Sequence, residues 1–315
     1  MALTLYHHPG SFFSQRVRFA FAEKNVKYRS VEVELHAEEN LEPWYVRINP
    51  LMTIPGLAVE GGTKFIDSEA IIGFTDQITP NLPLLFLDEK SPEGQKCHRF
   101  LQLFKTFDVQ VISIGTLINP KFTKGFKHHR RAATFENAFT SRINKAKRYS
   151  EQYKDLRYEY LNKATALSQR LQQFKDEEVL RDNIDAAERA LTEVEAELAK
   201  ASDEHGDVPL DEQPWLCGQQ FTVGDIYLAT LLHRLLLIGY SHFWLGGKLP
   251  NVERYYQRVL QRDSFRKSCL YANSPFWGFM APLIRYKVKQ ALPWLLGAAA
   301  IAMGATGVYI YLRKK

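Results

Sequence analysis

Apolar and polar positions alternate in Leu3-Thr4-Leu5-Tyr6, so Leu3–His7 is predicted as a strand. The period then lengthens. Val17, Phe19, Ala20, Phe21 and Ala22 stand between Arg16, Arg18 and Glu23, and Ser14–Lys24 is predicted as a helix buried between a sheet and a second layer. Lys27–Glu34 reads as a strand followed by a second helix. Leu57–Glu60 and Lys64–Ile66 read as two short strands joined by a tight turn at Gly61-Gly62. Asp67-Ser68 then opens a helix near Glu69 with side chains suited to capping it.

Residues 1–80 therefore follow a thioredoxin-like α/β order. After Pro80-Asn81-Leu82-Pro83 the strand signals cease, and an all-α domain is predicted over 81–270. No proline occurs between Pro120 and Pro209, and the stretch is dense in good helix formers. Ile184, Ala187, Leu191, Val194 and Leu198 recur at 3-4 spacing, whereas the stripe Leu167, Leu171, Phe174 loses its phase at Asp176-Glu177-Glu178. Two helices with a break are expected, and a helical hairpin inserted over 120–210 fits better than a coiled coil. Thr222 and Asp225 form a capping pattern before the apolar run Ile226–Ile238, which assigns them to folding rather than catalysis.

The C-terminal end changes the picture. Leu292–Leu312 holds no charged residue and is long enough to cross a bilayer, with Trp294 near one end and Tyr309 and Tyr311 near the other. Arg285, Lys287 and Lys289 precede it in a basic amphipathic juxtamembrane segment, 271–291, and Arg313-Lys314-Lys315 follow. The expectation is a single-pass tail anchor, a transmembrane helix over 292–312 inserted after synthesis, with the bulk of the chain in the cytosol. The N-terminus shows neither a secretory signal nor a transit peptide.

The net charge of +6 is mostly local: it gathers around the apolar run and in Lys121, Lys124, Lys127, Arg130 and Arg131, which flank His128-His129. Nucleic acid is not an expected partner, and that cluster suits either anionic headgroups or a solvated helix face. Cys97, Cys217 and Cys269 form no CxxC pair, which points to a reducing compartment. His7-His8 and His128-His129 are neighbours rather than i, i+4 pairs, so no metal is expected. Without a phosphate loop the chain is not a nucleotide-driven engine.

Three motifs in order resemble the glutathione transferase superfamily. Asn49-Pro50 with Ile54-Pro55-Gly56-Leu57 is similar to the element whose cis proline lets the preceding backbone pair with the cysteinyl part of glutathione. Asp67-Ser68-Glu69-Ala70-Ile71 is similar to the element that meets the γ-glutamyl end. The stretch from Tyr6 to Arg18 looks like the zeta- and theta-type start, which places Ser11 at the serine that activates the thiol and Ser14 beside it. The resemblance thus implies glutathione as ligand or substrate, with Ser11 catalytic and with Ser11, Ser14, Ile54, Pro55, Asp67 and Ser68 in the site. From the residues alone, Ser11 and Ser14 equally suit capping of the first helix. Phe13 stands where zeta-type members carry a cysteine, and Thr53 where a longer polar side chain holds the glycine carboxylate.

The helical insertion, Pro-Trp-Leu-Cys-Gly at 214–218, Tyr-Tyr-Gln-Arg-Val-Leu at 255–260 and the tail extend the resemblance to the ganglioside-induced differentiation-associated branch of that superfamily. This implies the mitochondrial outer membrane, with peroxisomes as a second address, and a role in mitochondrial fission and network dynamics. Homodimers and cytosolic protein partners are expected. Three functions stay open: a membrane-held regulator that uses the fold as a binding or sensing module, a transferase that conjugates hydrophobic electrophiles at the membrane, and a non-catalytic dimeric scaffold.

Overall fold

The computed structural model describes residues 1–123, 132–205, 209, 212–273 and 280–292. Strands β1 (Leu3–His7), β2 (Arg29–Glu32), β3 (Gly56–Val59) and β4 (Lys64–Phe65) make one sheet in the order β2-β1-β3-β4. β1 runs parallel to β2 and antiparallel to β3, and β3 runs antiparallel to β4. A parallel neighbour cannot be reached by a hairpin, and the crossover is made by α1 (Phe12–Glu23). This is the thioredoxin-like arrangement expected. β2 is shorter than predicted because the backbone N–H of Glu34 turns to Glu39 Oε2 (2.9 Å). The expected second helix shrinks to a 3₁₀ turn, Glu39–Leu41, and the single turn α2 (Pro43–Val46). Asp67 caps α3 (Ser68–Ile78) by accepting the Ala70 N–H at 2.9 Å.

The helical domain contains α4 (Pro92–Leu103), a π turn (Val111–Gly115) running into α5 (Thr116–Ile118), α6 (Ala132–Gln152), α7 (Arg157–Lys175), α8 (Glu177–His205), α9 (Val223–Leu237), α10 (Pro250–Gln261) and α11 (Asp263–Ser268). α9 lies at its centre, with Ile226, Leu228, Ala229, Leu231 and Leu232 fully buried. The capping box at its start is complete. Asp225 accepts from the backbone of Leu216 and Thr222, both at 2.9 Å, from Thr222 Oγ1 at 3.0 Å and from Tyr255 Oη at 3.0 Å. Burial pushes its pKa up, and those hydrogen bonds pull it back.

The stretch 120–210 holds helices with two different roles. Asp176 breaks the chain between α7 and α8 by accepting the N–H groups of Glu178 (3.0 Å) and Val179 (3.2 Å). Beyond it, Ile184, Ala187, Leu191 and Val194 of α8 are buried in the same core as α9 and α10, so α8 is part of the domain itself. α6 and α7 form the antiparallel hairpin: Phe139 meets Phe174 at 5.3 Å between ring centres, and Tyr149 meets Tyr160 at 5.5 Å. Ala146, Leu156, Tyr160 and Ala164 pack on Leu41, Val46 and Met52 of the N-terminal domain. Tyr160 Oη donates to Leu41 O (2.8 Å), and Lys145 pairs with Glu42 (2.8 Å). The hairpin is thereby clamped over the segment that leads into Pro55.

Residues 281–292 are helical and pin back onto the N-terminal domain through Arg285–Glu32 (2.8 Å) and Lys289–Glu39 (2.7 Å). Among the described residues no helix is long and apolar enough to cross a membrane. The run expected to span, 292–312, lies outside the described residues except for Leu292, as does the basic cluster after Lys121.

Two substitutions test this division of the helices. Asp225→Ala leaves several buried donors without an acceptor and should cost roughly 3–5 kcal/mol of stability. Leu191→Ala should cost about 2–5 kcal/mol if α8 is core. Urea unfolding of both variants measures this, and a loss below 1 kcal/mol for Leu191→Ala would return α8 to the surface.

Candidate functional site

The first turn of α1 sets one end of the site. Ser11 is its N-cap, with Oγ accepting the Ser14 N–H at 3.3 Å, so the capping role is real. Its side chain still lines a cavity of about 550 Å³. Ser14 does not reach that cavity: it is fully buried, and its Oγ accepts the His8 N–H at 3.5 Å.

The second edge is the turn before β3. The Ile54–Pro55 peptide is cis, and both residues face the cavity. Asn49 Nδ2 donates to Thr53 O (2.7 Å) and Thr53 Oγ1 (3.0 Å), and Tyr45 Oη donates to Thr53 O (2.5 Å). Thr53 is thus held by its own loop. The third edge is the start of α3, where Asp67 and Ser68 line the same space. Chain segments far apart in sequence therefore bring Ser11, Ile54, Pro55, Asp67 and Ser68 to one cavity.

The rest of the lining went unrecognised in the sequence. It combines apolar side chains such as Ile114, Phe139 and Phe174 with four cations, Arg142, Lys163, Arg170 and Arg234. Arg170 is neutralised by Asp108 at 2.7 Å. Among the described residues the other three hydrogen-bond to backbone carbonyls: Arg142 Nη2 to Leu35 O (2.7 Å), Lys163 Nζ to Leu51 O (2.8 Å) and Arg234 Nη2 to Gly10 O (2.8 Å). Burial, aided by the neighbouring Arg142, pushes the Lys163 amine down to about 8. Burial likewise lowers Arg234 to about 10 and depresses Arg142, against the pull of Glu38. Arg234 had a sequence signal, a charge inside the apolar run of α9. Arg142 and Lys163 had none, because on a charged helix a cavity-facing cation reads like a solvated one.

Thr222 and Asp225 sit in the capping box away from this cavity. The cysteines are elsewhere too, all three buried, with Cys269 pushed up to about 11 by burial. The fold does gather His8, Glu34 and His36, whose side-chain ligand atoms lie within 4.8 Å of one another. However, His8 Nδ1 accepts the Gly10 N–H at 3.2 Å, which leaves the ring proton on Nε2, 3.6 Å from Glu34 Oε1. The trio thus joins two buried side chains, His8 and Glu34, to the exposed His36.

The family profile for the glutathione S-transferase N-terminal domain matches residues 5–83, and that for the C-terminal domain matches 177–258. The first covers every edge of the cavity contributed by the sheet domain. The second begins where α8 begins, leaving the α6–α7 hairpin outside both. The chain is 26% identical to ganglioside-induced differentiation-associated protein 1-like 1 of Homo sapiens, over 100% of the chain and 87% of that protein. It is 26% identical to tetrachloro-p-hydroquinone reductive dehalogenase of Sphingobium chlorophenolicum, over 86% and 97% of the two chains. A glutathione S-transferase from Methylobacillus flagellatus, solved with glutathione bound, superposes with a TM-score of 0.54 at 20% identity, over 85% of this chain and 99% of that one. That likeness is one of fold.

Holding Lys163 charged away from water costs stability, so Lys163→Met should raise the melting temperature of the ligand-free protein at pH 7. The folded-state pKa lies below that of a free lysine, so the gain is full below about pH 8 and shrinks as pH rises from there toward the ordinary lysine value. Thermal melts across that range read it out. A gain that is absent at pH 7, or that grows with pH, would contradict the desolvated amine.

Proposed function

We propose, for a chain that belongs to the glutathione S-transferase family as this one does, that its cavity binds glutathione and that the folded part acts as a glutathione-binding module held on the mitochondrial outer membrane. The observation that carries the binding is the meeting of Ser11, the cis Ile54–Pro55 turn and Asp67-Ser68 at one cavity. In this reading the Ile54 backbone takes the cysteinyl part and Asp67-Ser68 the γ-glutamyl end, which leaves the thiol toward Ser11 and the amide end of α1. The membrane address rests on the uncharged run 292–312 with its basic flanks, and on the whole-length similarity to a ganglioside-induced differentiation-associated protein. The role in mitochondrial fission and network shape, with peroxisomes as a second address, is what resemblance to that branch implies. With no phosphate loop, it would be exerted through partners or lipids.

A second reading, a working transferase, is favoured by Arg234. Its guanidinium is bonded to Gly10 O, next to Ser11, where a fixed cation and the helix amides would both favour a thiolate. Conjugation is then attack of that thiolate on an electrophilic carbon seated against Ile114, Phe139 and Phe174, the new C–S bond forming as the carbon's leaving group departs with its electron pair. No cysteine lines the cavity, so a step requiring exchange with a protein thiol has no thiol to use.

Calorimetric titration of the full-length protein with glutathione tests the binding. Ser68→Ala and Ser11→Ala should each weaken it by about 1–3 kcal/mol. Unchanged affinity in both would place the ligand elsewhere, and turnover lost with binding kept in Ser11→Ala would favour the transferase.

The address is tested separately. Residues 270–315 fused to a fluorescent protein should reach mitochondria, and Arg313→Ser, Lys314→Ser and Lys315→Ser together should divert the fusion toward the endoplasmic reticulum. A soluble fusion, or a charge-free tail still confined to mitochondria, would refute the anchor as described.

A further inference from the structure

The α6–α7 hairpin brings to the cavity two cations that lack an acidic partner. Arg142 comes from α6 and Lys163 from α7, and each is fixed by one hydrogen bond to the segment that ends at Pro55, through Leu35 O and Leu51 O. Lysine has three donors and arginine five, so most of their capacity is unspent, and Arg142 Nε is buried with no hydrogen-bond partner. The nearby acids are committed elsewhere. Glu38 and Glu42 pair with Lys145 (3.8 and 2.8 Å), and Asp108 pairs with Arg170 (2.7 Å). Among the described residues, no carboxylate lies within ion-pair distance of Arg142 or Lys163. A half-buried cation pair facing an open space, with no carboxylate in ion-pair contact and only the more distant pull of Glu38 on Arg142, is a seat for a ligand anion.

The loop on the same side offers that seat no charge. Thr53 is the cavity-facing residue before Ile54; its Oγ1 accepts from Asn49 Nδ2 at 3.0 Å, which leaves a single neutral hydroxyl donor. If the γ-glutamyl end lies at Asp67-Ser68 and the cysteinyl backbone at Ile54, the last residue of the tripeptide extends beyond Thr53 toward the hairpin. We infer that Arg142 and Lys163 bind the glycine carboxylate of glutathione, so that the hairpin completes the site and selects ligands with a free carboxylate at that end. This inference rests on the glutathione reading and adds to it a charged source for a contact that Thr53 could make only with a neutral hydroxyl.

The test titrates the full-length protein in detergent micelles with glutathione, with γ-glutamylcysteine, which lacks the glycine, and with the glycine monoethyl ester of glutathione, which keeps the residue but not the charge. The wild type should bind the two analogues about ten- to a hundredfold more weakly than glutathione. The double variant Arg142→Gln, Lys163→Gln should bind all three alike at the weaker level. Ser68→Ala should weaken all three by a common factor and keep the preference. An ester bound as tightly as glutathione by the wild type overturns the inference while leaving glutathione as ligand, as does a double variant that keeps the preference. A wild type that binds none of the three at millimolar concentration overturns the glutathione reading itself. If the double variant fails to fold, the three wild-type titrations decide the matter alone.

Discussion

Burying α1 between the sheet and the helical domain puts two guanidinium groups in the interior, and their bonds fix how the domains meet. Arg18 donates to Pro9 O (3.1 Å) at the β1–α1 turn, to Ser268 O (2.5 Å) at the end of α11 and to Tyr271 Oη (2.6 Å). A helix C-terminus is where a buried cation is best tolerated. Arg16 lies over the Tyr227 ring of α9 at 3.6 Å, and burial lowers it to about 10. Together with Arg234 on Gly10 O, these contacts hold the Gly10-Ser11 turn against α9. The cavity is what remains between surfaces locked in that relation. If the angle between the domains drifted, Ser11 would move relative to Ile54, because they belong to different edges of the same space.

What could be read from the sequence was whatever is decided locally. A strand needs only its alternation, so Leu3–His7 is found where predicted. A capping box is four residues long, so Thr222 and Asp225 are paired as expected. The break before α8 is likewise local, since Asp176 caps the helix that follows it. Ser14 could not be placed, because the sign of its contribution depends on whether Oγ turns outward or to His8 N. The extent of the insertion was also hidden. The stripe from Ile184 to Leu198 has the same spacing whether it faces a hairpin partner or the main core, and the choice is made by α9 and α10, whose positions no local pattern contains.

The proposed site illustrates why groups kept free for a ligand would be poor stabilisers. Arg142, Lys163 and Arg234 would contribute more to folding if each met a carboxylate, as Lys145 and Arg170 do on the same hairpin. They meet carbonyls instead, each of which takes one donor and leaves the charge unmet. Unspent charge is a cost in the empty protein and a resource when an anion arrives. The hairpin is able to carry that cost because it is anchored independently, through the Tyr160, Ala164 and Leu156 cluster on Leu41, Val46 and Met52.

The helix over 281–292 carries a different implication. Its ion pairs to Glu32 and Glu39 join it to the end of β2 and to the turn after it, close to the segment over which the hairpin is clamped, while Ile284, Val288 and Leu292 remain exposed. On a membrane of the proposed kind, the folded part would therefore ride as a fixed mount, its cavity mouth held at one bearing relative to the lipid plane. Anionic headgroups would compete with Glu32 and Glu39 for Arg285 and Lys289, ions of the same sign vying for the same cations. Lipid composition would then decide whether that mount stays rigid or becomes a swivel, and so how often the cavity faces the bilayer or the open solution.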